Sequence, residues 1–239
     1  KSTASTDEII KTITVKDSGG NSNACNLPDC YVEKTTTVSL GTTTTINYGY
    51  SVINGTKKMS SITTATGYGN LVVSIQYDTQ GRRIKDESRF SGALQNYTEY
   101  EYSNNNQNVK VSMYDAGGTL TGYSLEQYNA NKHLTRSEGY SPAGVLTGYV
   151  VYSNFLNTDG SFPQLVETFD ANNTITQTDV HTYEDCNLKR TVSRDGSGTV
   201  IGEVNNTIDS NRLLRTSVAT IIAQGTTIKS TTQYVYDCD

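Results

Sequence analysis

The sequence predicts an all-β chain: an antiparallel β-meander of consecutive hairpins forming one large curled sheet or open barrel. Composition is the first sign. Only 34% of the 239 residues are hydrophobic, and there is no Trp and only 4 Phe, but there are 17 Tyr and Thr runs such as TTTVSLGTTTTINY. Such residues suit a pleated, half-buried surface rather than a thick oily core. The second sign is the wealth of Asn, Asp and Gly, which furnish tight turns. The third is a rhythm, in which an aromatic residue, a short turn and then Leu, Ile or Val recur: YDTQGRRI from 77, YDAGGTL from 114, YNANKHL from 128, YSPAGVL from 140, FDANNTI from 169 and IDSNRLL from 208. One strand plus one turn every ~12–14 residues is close to the spacing of all-β chains.

Taken in order, residues 1–30 read as an N-terminal tether and Cys-containing loop, and 31–239 as a single hairpin-repeat domain. Strands are expected at Tyr31 to Leu40, Thr43 to Asn54, Lys57 to Thr66 and Asn70 to Tyr77, parted by LGT, NGT and GYGN. Asn54-Gly55 is a two-residue hairpin signal. From Tyr77 onward each unit has the same mechanics. The aromatic closes a strand, and Asp78, Asp115, Asn129, Asp170, Asp195 or Asp209 accepts hydrogen bonds from N–H groups two residues on. Gly or Asn then takes a positive φ, and an aliphatic residue opens the next strand. This places Tyr114 opposite Leu120 and Tyr140 opposite Leu146, in cross-strand rows worth roughly 0.2–1 kcal/mol per pair. It also sets Gly122 opposite Tyr140, whose ring would cover the bare backbone. Counting from Leu120, positions to Tyr128 alternate without interruption. Residues 153–163, SNFLNTDGSFP, read as an enlarged loop.

IQYDTQGRRI (75–84), with YEYSNNNQNV and MYDAGGTLT, resembles the tyrosine-aspartate (YD) repeats of Rhs-type shells and teneurins. Tyr77, Asp78, Gly81 and Arg82 match the repeat, as do Tyr114, Asp115, Gly117, Leu120 and Thr121, although Arg83 is inserted before Ile84 and later units replace Asp by Ser141 or Asn129. The resemblance implies a coiling β-hairpin array on a secreted or surface protein. The nearer comparison is a small Bacteroidetes-type surface lipoprotein.

A net charge of -5 with no basic stripe argues against a nucleic-acid partner. There is no 18-residue apolar run, and the strands carry too few apolar residues for a lipid-facing band. The start, KSTASTDE, resembles the tether that follows a lipid-bearing Cys, so a lipid anchor before residue 1 is an expectation. Four cysteines, Cys25, Cys30, Cys186 and Cys238, fit an oxidising compartment better than zinc. Three pairings are possible. Cys25 with Cys30 closes locally and leaves Cys186 with Cys238.

Chemistry is sparse. His133 falls in a turn and His181 in a strand beside Asp179 and Tyr183, and both read as surface or cross-strand residues. No G-x-S-x-G elbow occurs. RDGSG at 194–198 is a hairpin turn and no phosphate cradle. No cofactor or metal is expected; the best calcium candidate is the NTDG loop at Asp159. Glu126 and Glu138 are the carboxylates a glycoside hydrolase would pair. The clearest binding hint is a column of Tyr97, Tyr123 and Tyr149 on the face opposite the Leu/Tyr rows, one every 26 residues, able to stack on a glycan or meet a protein partner. These readings converge on a non-enzymatic, extracytoplasmic binding or scaffolding protein at the cell surface or in the periplasm of a Gram-negative bacterium. The alternatives are a carbohydrate-active hydrolase and an outer-membrane barrel.

Overall fold

The structure, a computed structural model, describes residues 30–103, 108–156, 162–184, 187–211, 213–223 and 226–238. Sixteen strands follow one another: β1 (Cys30–Ser39), β2 (Thr42–Ile53), β3 (Thr56–Thr66), β4 (Gly69–Tyr77), β5 (Arg83–Phe90), β6 (Ala93–Tyr102), β7 (Asn108–Asp115), β8 (Leu120–Tyr128), β9 (Leu134–Tyr140), β10 (Leu146–Phe155), β11 (Pro163–Asp170), β12 (Ile175–Glu184), β13 (Asn187–Asp195), β14 (Val200–Ile208), β15 (Leu214–Ala223) and β16 (Thr226–Cys238). Each pairs antiparallel with its sequence neighbours, and β1 pairs antiparallel with β16, so the meander is a closed barrel. The expected curled sheet or open barrel is corrected on this point. Closure leaves no free sheet edge between β1 and β16, which removes the liability of an unpaired strand.

The turns explain the recurring sequence unit. Asp78, Asp115, Asn129, Asp170, Asp195 and Asp209 each accept, on one side-chain oxygen, the N–H two residues on and also the N–H four residues on, at 2.8–3.0 Å. One carboxylate or amide oxygen thus pins the whole loop. Gly81, Gly118, Gly144 and Gly198 take the positive φ, as expected, and so do Asn173 and Lys132. A β-bulge then follows in the returning strand, for example between Leu120 and Gly122 opposite Met113 and Tyr114. There the Thr121 hydroxyl donates to Met113 O at 3.1 Å, and Thr135 and Thr176 repeat the bond to Gln127 O and Thr168 O. The Leu-Thr pairs of the sequence are bulge residues.

Tyr114 does lie opposite Leu120, and Tyr140 opposite Leu146. Gly122, however, lies opposite Met113, and it is Tyr123 that faces Tyr140. The bulge at Thr121 interrupts the alternation counted from Leu120. Glycine is required there because a Cβ on Gly122 would sit 2.9 Å from the Tyr140 carbonyl oxygen, and one on Gly148 would sit 2.6 Å from that of Phe169.

The register sorts the side chains into two walls. Val32, Thr35, Ile75, Val109, Val111, Asn206 and Ser217, nearly all of the buried set, share one face with Tyr48, Tyr77, Tyr100, Tyr102, Glu126 and Tyr128. This is the inner wall. Lys85, Glu87, Tyr97, Glu99, Lys110, Tyr123, Arg136, Glu138 and Tyr149 share the outer one. A ring of sixteen strands at ~4.8 Å spacing has a perimeter of roughly 75 Å, too wide for side chains from opposite sides to fill. The apolar packing accordingly lies along the inner wall.

Candidate functional site

The inner wall carries a girdle of tyrosines near one rim, the end at which even-numbered strands finish: Tyr50, Tyr77, Tyr102, Tyr128, Tyr152, Tyr183 and Tyr236, with Asn206 on β14. At this end most hairpins have stopped pairing. The β1–β2 ladder ends at Lys34 and Asn47, β3–β4 at Ser61 and Ser74, β5–β6 at Lys85 and Glu99, and β11–β12 at Leu165 and Val180. Side chains bridge the splay. Tyr50, Tyr77, Tyr102 and Tyr183 donate their hydroxyls to the carbonyls of Val32, Met59, Arg83 and Pro163 at 2.7–3.0 Å, and Asn206 Nδ2 donates to Leu188 O at 2.8 Å. Each latch supplies a donor to a carbonyl that the ladder leaves unpaired.

The pattern breaks over β8–β10. The β7–β8 ladder runs down to Asn108 and Gln127, so Tyr128 has no gap to bridge; its hydroxyl donates to Glu126 Oε2 at 2.5 Å instead. The β9–β10 ladder stops at Arg136 and Val151, yet Tyr152 makes no latch among the described residues. The inner face between them is floored by small residues: Ser124 on β8, Ser137 and Gly139 on β9, and Gly148 on β10. On the other side of Glu126, over β6–β8, a cleft of about 300 Å³ is lined also by Tyr102, Ser103, Asn108, Val109 and Lys110.

Glu126 sets the electrostatics of this region. Burial, followed by the hydrogen bond to Glu126, pushes the Tyr128 hydroxyl far above the usual phenol range. Burial and then the Glu126 charge raise Tyr152 as well. Tyr100 is raised chiefly by burial, and it donates to Asp86 Oδ2 at 2.7 Å. Asp86 is itself held by the Arg83 guanidinium. The phenols therefore stay neutral donors at neutral pH.

The outer tyrosine column has a different character. Tyr97 stacks on Tyr114, Tyr123 on Tyr140 and Tyr149 on Phe169, with ring centroids 4.6–5.0 Å apart and planes within 11°. Lys85, Lys110 and Arg136 cover those same three column rings at 4.0–5.2 Å. Tyr97, Tyr123 and Tyr149 thus share one face, as expected, but it is the face of Tyr114, Leu120 and Tyr140 and not the opposite one, because the bulge at Thr121 shifts the alternation, and each ring already has an aromatic and a cationic neighbour. The hydroxyls of Tyr97 and Tyr123 lie over the next turn glycines, Gly118 and Gly144, and Tyr149 donates to Asn173 Oδ1 at 3.0 Å.

Glu126 and Glu138 cannot pair. Glu126 faces Ser137 on the inner wall, whereas Glu138 faces Leu125 and Tyr149 on the outer wall. There the hydrogen bond from Arg136, then that from Tyr140, holds Glu138 below the usual carboxylate range. His181 is on the inner wall, its Nδ1 at 2.9 Å from Thr191 Oγ1; burial lowers its pKa, with Asp179 opposing. His133 is a turn residue whose N–H bonds Asn129. No cluster among the described residues could hold a metal, and Asp159 lies outside them. Cys25 and Cys186 also lie outside the described residues; Cys30 faces Cys238 in the closing ladder, and no described cysteine is free. The sequence places strand-closing tyrosines in rows across the sheet, but not the latching role of their hydroxyls, which depends on where each ladder ends. The girdle's signal was a strand-closing Tyr preceded two residues earlier by Tyr or Glu, as in YEY at 100–102 and EQY at 126–128.

No protein-family model and no curated protein matches the chain. Among solved structures, a porin-like protein from Bacteroides uniformis is 12% identical over 86% of this chain and 98% of its own, with a TM-score of 0.38. The TcdB2-TccC3-Cdc42 structure is 12% identical over 84% of this chain and 14% of its own, TM-score 0.26. A Photorhabdus luminescens Tc holotoxin pore is 10% identical over 81% of this chain and 15% of its own, TM-score 0.18. At these TM-scores the likenesses carry no weight for fold or function.

Proposed function

We propose that the protein is a non-enzymatic, extracytoplasmic binding barrel that takes a hydroxyl-rich ligand, a glycan, at the tyrosine-lined rim of its inner wall. One observation supports this above the rest. A regular series of hydroxyl latches is interrupted over β8–β10, where Tyr128, Tyr152 and Glu126 stand around a floor of small residues. Phenol rings with polar tips, set beside a carboxylate, suit the alternating apolar and hydroxyl surface of a sugar. The site of the reading thus shifts from the outer Tyr column, whose ring faces are engaged, to the inner rim.

The outer wall favours an aqueous setting over a lipid one. Lys85, Glu87, Arg89, Glu99, Lys110, Arg136, Glu138 and Glu167 project outward from within the strands. Arg or Lys at the bilayer midplane costs about 2–4 kcal/mol each on a barrel's lipid face. The purified protein should stay monodisperse without detergent. The surface or periplasmic location, the lipid anchor and the YD-repeat kinship remain parts of this proposal. The cysteines agree with an oxidising location, because directly opposed antiparallel residues have Cα atoms about 4.5–5.5 Å apart, within disulfide range. Cys30 and Cys238 occupy such positions. Non-reducing peptide mapping should join them, and a Cys25–Cys30 peptide would argue for the local pairing.

The test is a glycan array with wild type, Tyr152→Ala and the outer-wall variant Tyr123→Ala. Binding lost in Tyr152→Ala and kept in Tyr123→Ala is the expected result. The reverse pattern, or no glycan bound by wild type, would remove the inner rim as the site.

A further inference from the structure

Resting on that reading and deepening it, we propose that the inner rim over β8–β10 selects a glycan carrying a protonated amine, an amino sugar, with Glu126 as its counter-ion and Tyr128 and Tyr152 at its sides.

Glu126 is an inner-wall carboxylate without a cationic partner among the described residues. The nearby guanidiniums are taken, Arg83 by Asp86 and Arg82 by Asp78. Lys110, on the adjacent strand, is on the outer wall with its ammonium over the Tyr123 ring. Among the described residues the one hydrogen bond to the Glu126 side chain is from a neutral phenol, on Oε2, and Oε1 faces no described donor. A carboxylate in such a place prefers an ammonium, because a charge-assisted bond is roughly twice as strong as a neutral one.

The surroundings fit the rest of such a ligand. Glu126, Ser137 and Val150 lie in one row across β8, β9 and β10. Two strand spacings, about 9–10 Å, separate Glu126 from β10. A hexose ring fits over the small side chain of Ser137. Tyr152 follows two residues beyond Val150 on the same wall, and among the described residues its hydroxyl is unlatched and its ring makes no aromatic or cation contact. An organic ammonium gains from an aromatic face as well as from the carboxylate.

The test is calorimetry at pH 6 and low salt with two probes of equal length, the trimer of glucosamine and the trimer of N-acetylglucosamine. The glucosamine trimer should bind at least about tenfold more tightly to wild type. In Glu126→Gln, which preserves shape and the bond from Tyr128, the preference should shrink to about twofold or less, with an unchanged melting temperature as the control for folding. Equal binding of the two trimers, or a preference that survives Glu126→Gln, would overturn the amine selection and leave the glycan reading standing. Failure of both trimers together with a blank glycan array would overturn both.

Discussion

Tyr97 and Tyr102 belong to the same strand, face opposite walls, and are held by different parts of the same side chain. Tyr97, outside, uses its ring, stacked on Tyr114 and covered by Lys85. Tyr102, inside, uses its hydroxyl, donated to Arg83 O at 2.8 Å, with the Arg82 guanidinium 4.8 Å from its ring centroid. The outer wall repeats a buckle of cation, tyrosine and aromatic every two strands. The inner wall repeats a latch at the open end of the β1–β2, β3–β4, β5–β6, β11–β12 and β13–β14 hairpins. Regular buckles carry no sign of a ligand, whereas the latch series has a gap, and the gap is what directs attention to Glu126 and Tyr152.

The largest effect that would sharpen the contrast comes from glycine. Gly148→Ala places a methyl 2.6 Å from the Phe169 carbonyl oxygen, which belongs to backbone and cannot swing aside. It should cost about 1–3 kcal/mol in urea unfolding. Gly67→Ala, with nothing within 4 Å, should be neutral. Next comes a crossed pair. Tyr102→Phe keeps the ring and removes the latch, so about 1 kcal/mol is lost; Tyr97→Phe keeps the stack and should stay within about 0.5 kcal/mol of wild type. Equal costs for the two would break the distinction between walls. Ser112 is a buried exception on the outer wall, 1% exposed with no partner for Oγ among the described residues. Ser112→Ala should stabilise the fold by about 1 kcal/mol through removal of that orphan group.

Titration separates the inner-wall phenols from the turn carboxylates by sign. Burial raises the inner Tyr50, Tyr183 and Tyr236 to about 12. A raised folded pKa gives stability that is complete below the unfolded value, about 10, and is lost as pH climbs toward 12. Absorbance at 295 nm should therefore show phenols ionising near pH 12 in the folded state. The turn carboxylates behave oppositely. Backbone N–H bonds, first from Thr174 and from Leu213, hold Asp170 and Asp209 below the usual range. Their contribution is present above an unfolded pKa of about 3.9 and fades as pH falls through the lowered folded values. Asp170→Asn, which imitates Asn129, should flatten that acid limb. The smallest effect is salt. Arg136 and Glu138, 2.7 Å apart outside, should lose a few tenths of a kcal/mol in ~1 M salt.

The meander and its turns were legible because turn chemistry is local. An Asp two residues before the N–H it accepts lies within one short word of sequence, and the turns expected at Asp78, Asp115, Asn129, Asp170, Asp195 and Asp209 formed. Closure was not legible. It depends on β1 meeting β16, a pairing such as Thr37 with Thr232, and no local signal reports it. The one-residue error at Gly122 came from the bulge at Thr121, where a Thr hydroxyl takes over a backbone acceptor and the count of alternation slips. The outer Tyr column was visible as a period in the sequence. Its cationic covers were not, since Lys85 and Tyr97 are neighbours only across a ladder.

Because Cys30 and Cys238 are ladder partners, the barrel has no privileged beginning. Joining those ends through a short peptide and cutting instead at Ser91-Gly92 would give a circular permutant with every ladder intact. Such a permutant should recover the same melting behaviour, since each strand would still find the two neighbours it has now. During synthesis the same geometry imposes a wait: β1 must go without its second partner until β16, the last strand of the ring in chain order, arrives to complete it.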